Sequence, residues 1–183
     1  MNNPQPLIIV AGAGAGLGQS LLHRFEAGEY KAIGLVRTLP TQPTNLDLHQ
    51  IDLTDSAAAI ALITDLISTY GPPKVVIHNT AELIIQPFAE TTLEDFERCW
   101  QSMVQAAIIV AQSVLQPMVR GGGGAFIVSG ATASLRGGAK FSAFASAKFA
   151  LRGLTQSLAR EYQPAGISAW SHEIDLRPRT ENF

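Results

Sequence analysis

Two kinds of hydrophobic run alternate along the chain. Short runs occur at Pro6 to Ala11 (PLIIVA), Lys31 to Val36 (KAIGLV), Leu48 to Leu53 (LHQIDL), Val75 to His78 and Phe126 to Val128. Runs this short, bounded by turn residues, predict strands. Between them, apolar residues recur at helical spacing: Leu17, Leu21 and Phe25 in the first stretch, Ile60, Ile63 and Ile67 in the second. The third stretch, from Thr92 to about Met118, carries Phe96, Trp100, Met103, Ala107, Val110 and Val114 on one side. A last long helix is predicted from Phe141 to Tyr162. Thr54 stands where it can cap the second helix, and Gly71-Pro72-Pro73 stops it.

Strands alternating with helices predict a parallel sheet, because each parallel pair needs a crossover, and the crossovers are right-handed. The predicted fold class is α/β: a doubly wound, Rossmann-like parallel sheet with helices on both faces. No repeat or linker divides residues 1–183, so a single domain is expected. Such folds bind ligands at the C-terminal ends of their strands.

Composition narrows the function. With 46% hydrophobic and 15% charged residues, the chain is not of the disordered class. Thirteen basic against fifteen acidic residues, net charge -2 and no basic cluster give nucleic acid nothing to bind. The one cysteine, Cys99, can form neither an internal disulfide nor a thiolate metal site. No metal is therefore expected, and a reducing compartment fits. The run Leu7 to Val10 lacks the charged flank of a leader peptide. Met103 to Leu115, broken by Gln105, Gln112 and Ser113, falls short of the roughly 20 residues that span a bilayer. The expectation is a cytoplasmic protein without a membrane partner.

The candidate chemistry begins at Ala11 to Gly18, AGAGAGLG, set between a strand and a helix. The spacing G-x-x-x-G-x-G fits Gly12, Gly16 and Gly18, whereas G-x-G-x-x-G cannot be placed. Glycine lets the backbone turn sharply and approach a ligand closely. The helix that follows offers unpaired N–H groups and a partial positive charge, which suit a pyrophosphate. A dinucleotide is expected there.

At these residues the chain resembles the short-chain dehydrogenase/reductase family, from about Leu7 to Ile167. The family's glycine motif has this spacing, with Ala11 in its threonine place. Asp52-Leu53 resembles the family's adenine-contacting segment, and His78-Asn79-Thr80-Ala81 stands at N-N-A-G, matching at Asn79. Phe126 to Ser129 resembles the strand that leads to the active site, and Lys148 takes the lysine of Y-x-x-x-K. The resemblance implies cofactor binding by Gly12, Gly16, Leu17, Gly18, Asp52, Leu53, Asn79 and Lys148. Arg37 ends the second strand with no acid nearby. A guanidinium there pairs with the 2′-phosphate of NADP, where a carboxylate would bind the ribose of NAD. NADP is expected, with NAD as the alternative.

The family's chemistry uses Asn, Ser, Tyr and Lys. The tyrosine place, four residues before Lys148, holds Phe144; the serine place, thirteen residues earlier, holds Ala131. The asparagine place falls on Met103, or on Val104 one residue later. Lys148 alone is kept, and its expected role is to hold the nicotinamide ribose. Thr132, beside Ala131, is the candidate substitute, although a turn hydrogen bond is the commoner fate of such a threonine. His78 reads as structural. The expected function is an NAD(P)(H)-binding oxidoreductase acting on a carbonyl or alcohol. The alternative is a catalytically silent dinucleotide-binding protein, a sensor or partner subunit. By resemblance the assembly is a homodimer or homotetramer.

Gly166-Ile167 resembles the start of a sixth strand. Ser168 to Pro178 then resembles the far C-terminus of one branch of the family, A-W-x-H-E-x-D-L-R-P. A substrate lid and last strand are therefore expected to be missing between Ile167 and Ser168, by omission from the sequence given.

Overall fold

β1 (Leu7–Ala11) is buried at every residue and pairs on both sides, with β2 (Lys31–Val36) and β4 (Val75–His78). Around it the computed structural model, which describes residues 5–170, builds a parallel sheet. β3 (Asp47–Gln50) flanks β2, β5 (Gly124–Val128) flanks β4, and β6 (Ile167–Trp170) flanks β5. The order β3-β2-β1-β4-β5-β6 is that of a doubly wound sheet, with its switch point between β1 and β4.

The two faces separate by the period of two along each strand. Ile8 and Val10 meet Leu22 of α1 (Leu17–Glu26). Leu7, Ile9 and Ala11 face the larger core with α2 (Ser56–Tyr70), α4 (Ala106–Arg120) and α5 (Ser142–Tyr162). Helices on both faces are thus found. The α1 side thins toward β6, where Ser168 and Trp170 are exposed while Ile167 is buried. β6 pairs in register from Ile167 to Trp170, so the strand runs through the expected junction at Ser168. The rest of the tail resemblance, from Ser171, lies outside the described residues.

Several local expectations are corrected. The cap of α2 is Asp55, whose side chain accepts from the Ala58 amide. Thr54 is not free for that role, because its hydroxyl donates to Asp52 at 2.7 Å. Strand β3 ends at Gln50, before that Asp52 turn. Leu22, not Leu17, is the buried leucine of α1, and α2 buries Ala59, Ile63 and Leu66 while Ile60 stays exposed.

The third helical stretch departs furthest. α3 (Leu93–Cys99) begins at Thr92 as expected, in a capping box with Asp95. A π-helical turn then runs from Trp100 to Gln105 before α4 resumes. The extra residue in that turn rotates Trp100 out of the apolar stripe, leaving it 48% exposed. The continuous helix, Leu93–Arg120, has 28 residues, long and apolar enough to cross a bilayer by length and composition. Here it serves as a core helix, with Met103, Val110, Val114 and Met118 fully buried.

Candidate functional site

The glycine turn closes the C-terminal end of β1. The amides of Gly12 and Ala13 both donate to the Leu35 carbonyl, at 2.9 and 3.1 Å. Gly12 has φ +89, and a Cβ on it would lie 2.7 Å from the Asn79 carbonyl oxygen. Gly18 is buried, and a Cβ there would lie 2.5 Å from Ala13 Cα. These two glycines therefore serve close backbone packing. Gly14 and Gly16 have nothing within 4 Å of a Cβ position. No side chain caps α1, and none of the amides from Gly14 to Gly18 donates to a protein acceptor among the described residues. The turn is an open cradle of donors at a helix N-terminus, which fits a pyrophosphate.

A cavity of about 440 Å³ opens beside the cradle, within the usual range of small-molecule sites. Of the residues expected to hold cofactor, Gly12, Arg37, Asp52, Leu53 and Asn79 line it. Gly16, Leu17, Gly18 and Lys148 do not, nor does the catalytic candidate Thr132. The sequence reading did not assign Gln19, Ile51, Thr80 and Ser102 to the site, and they too line the wall. Only their places beside the motif residues could have signalled them. The Arg37 guanidinium has no ion pair among the described residues. The Asp52 carboxylate accepts from the Thr54 amide and hydroxyl, which hold its pKa below the ordinary value, and the nearby Arg37 charge adds to this.

A chain of hydrogen bonds runs under the cradle. Asn79 Nδ2 donates to the Gly12 carbonyl at 3.1 Å, and Ser129 Oγ donates to Asn79 Oδ1 at 2.7 Å. Lys148 Nζ donates to the Ser129 carbonyl at 2.8 Å. Ser129, the residue after β5, is a positioning residue that sequence reasoning did not single out. The Lys148 side chain reaches this point from α5 and is 3% exposed. Burial, with no carboxylate alongside, lowers its pKa to about 8.

His78 sits at the end of β4, fully buried. Thr80 Oγ1 donates to the Ser102 carbonyl, so it accepts from His78 Nε2 at 2.8 Å. Nε2 also donates to the Met103 carbonyl at 3.0 Å, and Nδ1 has no partner among the described residues. These bonds take up carbonyls that the π-helical turn frees, which explains why the helix changes pitch there. Burial pushes the His78 pKa down to about 4, against the opposing bond to Met103. Between pH 6.5 and 4 the unfolded chain therefore binds a proton that the folded chain refuses, and stability falls as the pH falls. Urea unfolding at pH 7 and pH 4.5 should show a loss of about 2–3 kcal/mol from this group. His78→Asn should unfold with a correspondingly smaller acid loss; an unchanged loss would remove His78 as its source.

The expected catalytic places carry no acid. Phe144 lies one helical turn before Lys148, its ring centroid 5.7 Å from Nζ and 6.5 Å from that of Phe141. Ala131 is extended, and its amide donates to Ser134 Oγ at 3.1 Å. Ser134, rather than Thr132, thus supplies the side-chain hydrogen bond of this turn. Met103 is fully buried in the π-helical turn. Cys99, also buried, has its thiol pKa raised to about 11 by burial and is no nucleophile.

A family profile described as short chain dehydrogenase matches residues 6–172. L-xylulose reductase of Mesocricetus auratus is 31% identical over 166 residues, covering 87% of this chain and 66% of that protein. The chain therefore spans just under two thirds of the length of that relative. A short-chain dehydrogenase structure from Rhodopseudomonas palustris is 28% identical, with a TM-score of 0.80 over 90% of this chain and 82% of that one. One from Leptospira borgpetersenii with bound NAD+ is 19% identical, has a TM-score of 0.82 and covers 89% and 68% of the two chains, a likeness of fold. With a profile match over nearly all of the described residues and the glycine cradle at the sheet's switch point, the chain belongs to the short-chain dehydrogenase/reductase family.

Proposed function

We propose that the protein binds NADP in this cleft and acts as an oxidoreductase on a small carbonyl or alcohol. The observation that carries this reading is the run of unpaired amides from Gly14 to Gly18 at the mouth of a cavity of dinucleotide character. When bound, the cofactor supplies or accepts a hydride. The protein's part is to hold the pyrophosphate at the α1 N-terminus and the adenosine between Arg37 and Asp52-Leu53. Asn79 and Ser129 keep Lys148 beside the nicotinamide end. Family membership and the NAD+ complex of a structural neighbour support dinucleotide binding. The unpaired Arg37 at the end of β2 supports the 2′-phosphate. Exposed Trp100 on the third helical stretch and exposed Phe149 on α5 support a homodimer or homotetramer, and unpaired Cys99 a cytoplasmic setting.

Titration of NADPH fluorescence tests the reading, with saturation expected below millimolar cofactor. Arg37→Ala should weaken NADPH about 10- to 100-fold, the worth of a charge-assisted hydrogen bond, and NADH far less. Equal weakening of both would overturn the NADP assignment. Phe144, Ala131 and Met103 favour a second reading, a silent dinucleotide-binding subunit or sensor. NADPH oxidation with a panel of carbonyl compounds separates the two, since the silent protein binds cofactor and turns over none of them.

A further inference from the structure

Beside Phe144, the ring in the family's tyrosine place, lies the Lys148 ammonium, a group able to exchange a proton. We propose that Lys148 is itself the proton donor and acceptor, passing a proton between Nζ and the substrate oxygen in place of the phenol that Phe144 lacks. This rests on the oxidoreductase reading.

The geometry carries it in three parts. First, Phe144 and Lys148 share one face of α5, and the ammonium lies 5.7 Å from the centroid of the ring that replaces the phenol. Second, among the described residues the ammonium makes a single hydrogen bond, to the Ser129 carbonyl, and keeps two N–H donors unspent in a buried setting. Unspent buried donors call for a partner that arrives later. Third, the bonds from Lys148 through Ser129 and Asn79 to Gly12 fix it against the cradle. It is therefore placed by the same residues that shape the cofactor cleft.

The surroundings also tune it. β5 presents the Ser129 carbonyl, α5 presents Phe144, and β4 presents His78, the one titratable side chain near it among the described residues. His78 stays neutral above about pH 4, and no carboxylate holds the proton on Lys148. An ammonium titrating near 8 is far better matched to proton transfer at neutral pH than an ordinary lysine.

The step balances with a reduced nicotinamide dinucleotide as hydride source. Hydride adds to the carbonyl carbon, and the carbonyl π pair moves to oxygen. One N–H bond of Lys148 breaks, its electron pair stays on Nζ, and an O–H bond forms. The neutral amine then takes a proton from water in the cleft. Alcohol oxidation runs the same bonds in reverse.

Two measurements test it. Competitive acetylation with acetic anhydride from pH 6 to 11, read by peptide mass spectrometry, should give Lys148 a midpoint near pH 8. A midpoint near the ordinary 10.5 would overturn the proposal. In the second, NADPH-dependent carbonyl reduction should fall above about pH 8 in the unaltered protein. Lys148→Arg keeps the positive charge but does not deprotonate, so reduction measured at saturating NADPH should drop about 100-fold or more. Lys148→Met, which removes a buried charge, should fold with an unchanged or higher Tm and lose reduction as completely. Reduction that survives both variants with the same pH profile overturns the lysine assignment alone. NADPH bound without reduction of any carbonyl by the unaltered protein overturns the oxidoreductase reading, and this proposal with it.

Discussion

Phe144→Tyr should raise carbonyl reduction by about 10²–10⁴-fold, the usual worth of a positioned general acid. The new hydroxyl would extend from a ring already beside the Lys148 ammonium, whose charge favours the ionised phenol and lowers its pKa. The falling limb of the pH profile should then shift from the titration of Lys148 to that of the new tyrosine. Adding Ala131→Ser should contribute roughly another 10²–10³-fold if its hydroxyl meets the developing oxyanion. Position 131 is extended and its amide is already satisfied by Ser134, so the serine asks nothing new of the backbone. The measurement is kcat/KM for NADPH oxidation against a carbonyl panel, with NADPH affinity as control. If the double variant binds NADPH and still reduces nothing, the substrate does not lie against Phe144, and the silent-binder reading stands.

The strand pattern and the glycine spacing were legible because both are local. A run such as PLIIVA has no other use than a buried strand, Gly12 is demanded by its own φ of +89, and Gly18 by contacts within the turn. What each glycine does was less legible. Gly18 carries backbone packing with Ala13, while Gly14, an unspecified position of the motif, lines the cavity. The π-helical turn could not be read at all. The stripe of Phe96, Met103, Ala107 and Val110 suits an unbroken helix, and the cause of the turn is distant in sequence. His78 and Thr80 donate to the carbonyls of Met103 and Ser102, and only the packing of the end of β4 against that turn brings them together. The same limit hid Ser129, whose hydroxyl matters because Asn79 lies across the sheet from it. Thr54 was the expected cap of α2; the Asp52 side chain engages it, and Asp55 takes the role.

Gly18→Ala and Gly16→Ala should fail in different ways, and the contrast separates the packing of the cradle from its ligand. At Gly18 the added methyl meets backbone, Ala13 Cα at 2.5 Å and the Gly12 carbonyl oxygen at 2.6 Å. Neither atom can move without shifting the end of β1, because Gly12 and Ala13 are both bonded to Leu35. Overpacking of this kind costs about 3 kcal/mol, which should lower Tm by roughly 6–12 °C for a domain of this size. Cofactor binding should fall with it, as the turn itself is displaced. At Gly16 the methyl enters open space, so thermal unfolding should stay within about 2 °C of the unaltered protein. That space is where the N-terminus of α1 would meet a pyrophosphate, and a methyl there should weaken NADPH by about tenfold or more through lost close approach. Unfolding curves and NADPH titrations on the two variants give four numbers. A Gly16→Ala protein that binds NADPH as tightly as the unaltered chain would place the phosphates elsewhere, whereas an unchanged Tm in Gly18→Ala would show that the turn yields where its backbone contacts say it cannot.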